Sequence, residues 1–131
     1  MTPAYLLDSS ACIPVLRNQS GLGKLPDPAR TAIPVIVAAE LWTGVQKNLA
    51  THPHQAARLQ AFLDLFVIAD FTPAAALHYA EIRADLEATG TPIGPLDLLI
   101  AAQARQLGAT LVTANAAEFK RVKGLKVLAW K

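Results

Sequence analysis

Residues 94–113, GPLDLLIAAQARQLGATLVT, join a predicted helix to a predicted strand and decide the fold class. Gly94 and Pro95 are typical of a helix start, the apolar run after them is long enough for a helix, and Gly108 ends it. Residues 109–113 are short, apolar and bounded by turn residues, which predicts a buried strand. A helix followed at once by a buried strand is the repeating unit of an α/β fold with a parallel sheet.

The same alternation continues through the rest of the chain. Further strands are predicted at residues 5–8, 32–35, 67–69 and 127–129, helices at about 9–17, 37–48, 53–66 and 73–89, and a turn or short helix at 115–119. Either Ser9 or Ser10 is a suitable N-cap for the first helix. The pattern predicts a single-domain α/β three-layer sandwich over residues 1–131, with a mostly parallel central sheet of about five short strands and helices on both faces.

Composition excludes several classes of protein. The 131 residues include one cysteine, Cys12, which excludes an internal disulfide framework and an all-cysteine metal site. No apolar stretch reaches the roughly 18 residues of a membrane span, so we expect a cytoplasmic protein with no membrane partner. The net charge of +2 is too small to identify a nucleic-acid binder, yet residues 105–131 contain six basic residues and one acid. That segment suits a phosphate-bearing strand, or forms a solvated charged rim.

Three carboxylates stand in apolar surroundings. Asp8, Glu40 and Asp97 each interrupt or close an almost wholly apolar run. An isolated buried carboxylate is costly and becomes protonated unless a cation or hydrogen bonds compensate it. Three such groups far apart in sequence favour one shared compensator, a divalent metal ion, and thereby the hydrolysis of a phosphodiester.

The predicted topology brings these carboxylates to one edge of the sheet. Ligands of open parallel sheets bind outside the carboxyl ends of the strands. Asp8 ends the first strand, Glu40 follows the second in the first turn of its helix, and Thr113 and Asn115 follow a later one. Asp97 lies in a first helical turn. Glu40 and Asp97 could therefore simply be acids that the helix dipole stabilises, and Asp8 could simply be a helix N-cap. Oxygen ligands without Cys or His favour Mg²⁺ or Mn²⁺ over zinc.

Several motifs together resemble the PIN domain, and most closely that of VapC-type toxins of type II toxin–antitoxin systems. They are LLDSS at 6–10, AEL at 39–41 with Gly44 after it, IGPLDLLIAA at 93–102, GATLVTAN at 108–115, Glu118-Phe119, and VKGLKV at 122–127. The resemblance covers nearly the whole chain. Its most specific part is the Pro-x-Asp helix together with the Leu-Val-Thr-x-Asn strand end.

The resemblance implies a Mg²⁺- or Mn²⁺-dependent endoribonuclease toxin that is homodimeric and is neutralised by a VapB-like antitoxin. Operator DNA is then bound only through the antitoxin. The family's acidic site maps onto Asp8, Glu40 and Asp97 as catalytic residues and metal ligands. For the fourth acidic position the candidates are Asn115, as a catalytic residue, and Glu118, as a metal ligand. Ser9 and Thr113 are expected to position substrate or water.

Other interpretations remain open on the sequence. A PIN-like module could bind RNA or a partner without cutting, because Asn115 carries no charge. A phosphoacceptor receiver-like domain shares the doubly wound sheet, but it needs adjacent acids after strand one, where this chain has two serines. The apolar residues of the middle helices are either core or a surface for a second copy or an antitoxin helix; they are Trp42, Leu49, Leu59, Phe62 and Phe66.

Overall fold

The structure, a computed structural model, describes residues 2–18 and 24–130. The strands are β1 (Tyr5–Leu7), β2 (Thr31–Pro34), β3 (Val67–Ala69), β4 (Thr110–Thr113) and β5 (Lys126–Ala129). The helices are α1 (Ser9–Asn18), α2 (Val35–Lys47), α3 (Gln55–Leu63), α4 (Pro73–Ala88), α5 (Pro95–Leu107) and α6 (Ala116–Phe119), and a 3₁₀ turn (Pro28–Arg30) precedes β2.

The sheet is parallel throughout and has the order β3-β2-β1-β4-β5. The chain adds β2 and β3 on one side of β1, then crosses over and adds β4 and β5 on the other. The strand order therefore reverses between β1 and β4, which is where open α/β sheets form a crevice at their carboxyl ends. The predicted fold class and strand count are confirmed.

The central strands form the middle of the core. Leu6, Leu7 and Leu111 are completely buried, because helices cover the sheet that carries them. The edge strand β3 is more open, and Val67 is 70% exposed. Among the described residues, no helix is both long enough and apolar enough to cross a membrane.

The middle helices use most of their apolar residues in the core. Leu59, Phe62 and Phe66 are buried, and the rings of Phe62 and Phe66 pack 5.2 Å apart. Trp42 is half-buried and Leu49 is 45% exposed. Most of the apolar side chains of these helices therefore pack inside the protein. The buried Leu59, Phe62 and Phe66 offer no surface to a partner.

Helix α5 begins and ends as its sequence predicts. Gly94 precedes it in an extended conformation and Pro95 occupies the first helical position. Gly108 ends it with a φ of 66°, in the left-handed region that glycine adopts without steric cost. This start places Asp97 in the first turn.

Helix α2 begins two residues earlier than predicted. Pro34 closes β2 with φ −57° and ψ 140°, and Val35 enters the helix directly without a loop. Glu40 therefore lies in the second turn, and its predicted place in the first turn was wrong. The helix dipole acts mainly within the first turn, so it does not explain the presence of Glu40.

Candidate active site

Asp8 lies at the carboxyl end of β1 and is only 3% exposed. Its Oδ1 accepts a hydrogen bond of 2.8 Å from the backbone N–H of Ser9. Its Oδ2 accepts two more, from the Ser10 hydroxyl at 2.9 Å and from the Thr113 hydroxyl at 2.8 Å. Three donors hold this carboxylate as an acceptor in one orientation, which explains how the fold tolerates its burial.

The two hydroxyls are themselves fixed by the end of β4. The Ala114 backbone N–H donates to Ser10 Oγ at 2.9 Å, and the Asn115 backbone N–H donates to Thr113 Oγ1 at 2.9 Å. Each hydroxyl accepts from a backbone amide and so directs its single proton toward Asp8. The arrangement locks the ends of β1 and β4 together at the point where the strand order reverses.

Ser10 is the site residue that sequence reasoning missed. The sequence predicts only that Ser10 or Ser9 caps the first helix, whereas in the structure Asp8 is the residue that precedes α1. The sequence signal that could have identified Ser10 is its hydroxyl two residues after the strand-end carboxylate of Asp8, because such hydroxyls often bond to a nearby acceptor. Ser9 contacts Asp8 mainly through its backbone, since its hydroxyl lies 3.4 Å from Oδ1.

Glu40 lies close to Asp8 and has a carboxylate oxygen without a hydrogen-bond donor. Its Oε1 is buried and has no hydrogen-bond partner among the described residues. Burial raises the pKa of Glu40, and the negative charge of Asp8 raises it further. A buried acceptor without a donor, close to another carboxylate, is the pattern expected where a cation binds.

Asp97 and Glu118 complete the acidic cluster. The pKa of Asp97 is raised to about 6, first by burial and then by the charges of Asp8, Glu118 and Glu40, and a hydrogen bond with Glu118 adds to the shift. The Glu118 carboxylate also lies 3.5 Å from the backbone N–H of Gly94, at the start of α5. The structure thus brings Asp8, Glu40, Asp97 and Glu118 together, as the topology predicted for the first three.

Asn115 takes a different position from Glu118. It precedes α6, is exposed, and makes no side-chain capping bond, while its backbone N–H contacts Thr113. Of the two candidates for the fourth acidic position, Glu118 is the one in contact with Asp97. Asn115 supplies its backbone to the hydroxyl network.

The cluster fits a hard divalent ion. It offers carboxylate oxygens, one of which is buried without a donor. Burial first and mutual repulsion second raise the pKa values of Glu40 and Asp97, and a cation would offset both effects. In the described part of the chain, no three Asp, Glu, His or Cys side chains form a ready ligand set for one ion. An ion such as Mg²⁺ does not need three direct ligands, since it usually keeps several waters and takes only one or two carboxylates.

The basic C-terminal segment is only partly available at the surface. The Arg105 guanidinium contacts His78 Nδ1 at 2.9 Å, Glu81 at 2.9 Å and the Lys123 carbonyl at 3.1 Å. It therefore ties α5 to α4 and to the chain before β5. Lys120 is exposed directly beside α6, close in sequence to Glu118. The residues nearest the cluster, rather than the whole segment, can form a basic rim.

Comparison with known proteins relates this chain to a family. The PIN domain family matches residues 5–125. The tRNA(fMet)-specific endonuclease VapC of Salmonella typhimurium is 33% identical over 129 residues, covering 96% of this chain and 97% of the relative. Ribonuclease VapC2 of Rickettsia felis is 37% identical over 131 residues, covering 96% and 97%.

Solved structures show the same similarity. The DNA-bound VapBC structure from Salmonella typhimurium matches with a TM-score of 0.91 at 32% identity, covering 98% of this chain and 99% of that one. The structure of VapBC2 from Rickettsia felis bound to a DNA fragment from its promoter matches with a TM-score of 0.88 at 36% identity, covering 97% and 98%. The similarity thus extends along nearly the full length of each chain.

Proposed function

This chain belongs to the PIN domain family, and we propose that it is the toxin of a VapBC-type toxin–antitoxin system, an endoribonuclease that hydrolyses RNA phosphodiester bonds. The observation that carries the activity is the cluster of four carboxylates at the point where the strand order reverses. The relatives named as ribonucleases and the VapBC structures support the toxin assignment. A cognate VapB-like antitoxin neutralises the enzyme, operator DNA is bound only through that antitoxin, and residues 1–131 act as one nuclease domain in a homodimer.

The activity depends on Mg²⁺ or Mn²⁺ in this proposal. Asp8, Glu40, Asp97 and Glu118 would hold the ion, some of them through water. When bound, such an ion lowers the pKa of a coordinated water and stabilises negative charge on a phosphoryl group. The unsatisfied Oε1 of Glu40 supports it, and so does the pKa of Asp97, which burial and then the charges of neighbouring carboxylates raise.

The four carboxylates have different parts in hydrolysis. Asp8 keeps one orientation because Ser10 and Thr113 hold its Oδ2, so it acts as a fixed acceptor. Asp97, where it holds the ion through a water rather than directly, can take up the proton that an attacking water releases. The water oxygen then forms a bond to phosphorus as the bond from phosphorus to the leaving oxygen breaks. The Ser9 and Asn115 side chains orient substrate or water in this proposal, and the buried Thr113 hydroxyl acts through Asp8, to which it donates.

The first experiment is a cleavage assay with purified protein. The named substrate of the Salmonella relative makes tRNA(fMet) the first RNA to test, beside a mixed RNA pool. We expect discrete cuts with Mg²⁺ or Mn²⁺ and none with EDTA, and the Asp97→Asn variant serves as the control for contaminating nuclease. Metal binding without cleavage of any RNA would instead support a PIN-like module that binds RNA or a partner.

A further inference from the structure

A second concave surface adjoins the acidic cluster. It is a cleft of about 450 Å³ between α1, α2 and α3, which we call the α1–α3 cleft, and Glu40 is one of its lining residues. Its floor is apolar, with Leu41, Val45 and Leu59 buried beneath it. Ligand pockets commonly have volumes of roughly 300–1,000 Å³, so one nucleotide fits this space. Because Glu40 belongs to both surfaces, an occupant would lie directly beside the candidate site.

The rim of the α1–α3 cleft is basic. Arg17 and Arg58 line it together with His52, and Glu40 is the one acid among its described lining residues. Arg58 Nη2 donates to the Leu16 carbonyl at 2.9 Å, which holds the guanidinium against α1. Arg17 is exposed and makes no ion pair with any residue that the structure describes. Guanidinium groups in such positions bind phosphate and stack on bases.

Gly44 leaves open space above α2. A glycine in a helix interior costs about 1 kcal/mol relative to alanine. Gly44 has no positive φ, and a Cβ added there would meet no heavy atom within 4 Å. Neither backbone conformation nor packing among the described residues therefore requires glycine. A side chain at this position would extend into the α1–α3 cleft, which it lines.

We propose that the α1–α3 cleft is a nucleotide subsite that holds one unpaired base of the RNA next to the phosphate that is cut. This inference rests on the proposed ribonuclease function and adds the place where the RNA is read. The base would lie on the apolar floor, the side-chain amides of Asn48 and Gln55 would contact its edge, and Arg17 would contact an adjacent phosphate. Charge complementarity favours RNA as the occupant.

Filling the cleft tests the proposal. Gly44→Leu places a side chain in it, and Gln46→Leu places the same side chain on the exposed part of the same helix, outside it. We expect Gly44→Leu to raise KM for RNA about tenfold, because one base contact in single-stranded recognition contributes about that much. The nucleotide preference beside the cut should weaken as well. Gln46→Leu should match the wild type in both measurements.

A second variant and a binding measurement keep the outcomes distinct. Arg17→Gln should raise KM and reduce the salt dependence of RNA binding by about one phosphate contact, with kcat nearly unchanged. Mn²⁺ affinity should be the same in all of these variants. A wild type that does not cut RNA contradicts the proposed function itself. An active Gly44→Leu protein with unchanged KM and nucleotide preference overturns the subsite, and selective loss of inhibition by an antitoxin peptide would assign the cleft to a protein partner.

Discussion

Asp97→Asn is expected to lower RNA cleavage at least about 1,000-fold while leaving the protein folded, since it removes a charge required in the transition state. The same change should stabilise the metal-free protein. Burial, and then the charges of three neighbouring carboxylates, raise the pKa of Asp97 to about 6. Because the side chain is partly exposed, we expect a gain of only about 1 kcal/mol at neutral pH.

The pH dependence of this gain has a definite sign. The folded pKa of about 6 lies above the ordinary value of 3.8, so between these two values the folded protein holds a proton that the unfolded chain has released. Stability of the wild type therefore falls as pH rises from about 4 to 6, and the cost is complete above pH 6. The melting temperature of Asp97→Asn should exceed that of wild type by a few degrees at pH 7.5 in EDTA, and the difference should shrink toward pH 4.

Two further measurements separate this explanation from a general surface effect. Asp64→Asn changes an exposed acid whose side chain accepts only from Gln60 among the described residues, so it should neither alter cleavage nor raise the melting temperature at pH 7.5. Mn²⁺ should raise the melting temperature of wild type more than that of Asp97→Asn, because binding to the native state stabilises it. Full cleavage by Asp97→Asn, or equal stabilisation of both proteins by Mn²⁺, would contradict the assignment of Asp97.

The acidic cluster could be predicted because its charges interrupt apolar sequence. Asp8 and Asp97 stand out where a neutral side chain would pack, and a parallel sheet sends strand ends to one edge. The start of α5 followed from Gly94 and Pro95, whose backbone preferences act locally. Local rules of this kind are readable without knowing the fold.

What the sequence could not show depends on contacts distant along the chain. Ser10 becomes a site residue only because β4 pairs beside β1 and brings Thr113, 103 positions away, within 3.2 Å of its hydroxyl. The sequence groups Arg105 with the basic residues that suit RNA, whereas in the structure it contacts His78 and Glu81 of α4. The position of Glu40 in the second turn of α2 was not predicted, because β2 ends at Pro34 and α2 begins at Val35 with no loop between them. Each of these outcomes is decided by tertiary packing rather than by residue type.

Thr113→Val should reduce cleavage about 10- to 100-fold, as expected for a group that orients a metal ligand without touching the substrate. The buried Thr113 hydroxyl donates to Asp8 Oδ2 and accepts from the Asn115 N–H, so valine leaves both partners short of a hydrogen bond. Loss of a buried partner should also lower the free energy of unfolding by about 1–3 kcal/mol. Cleavage kinetics, Mn²⁺ titration and urea unfolding measure the three effects.

Further variants distinguish two roles for the Thr113 hydroxyl, which are to orient Asp8 and merely to stabilise the fold. Thr113→Ser keeps the hydroxyl and should restore both Mn²⁺ affinity and cleavage, whereas Thr110→Val, on the same strand, should leave both unchanged. Ser10 donates to the same Oδ2 as Thr113, so in a double-mutant cycle Ser10→Ala and Thr113→Val should not act additively on Mn²⁺ affinity. Additive effects, or a loss of stability with unchanged Mn²⁺ affinity, would mean that these hydroxyls support the fold and do not orient Asp8.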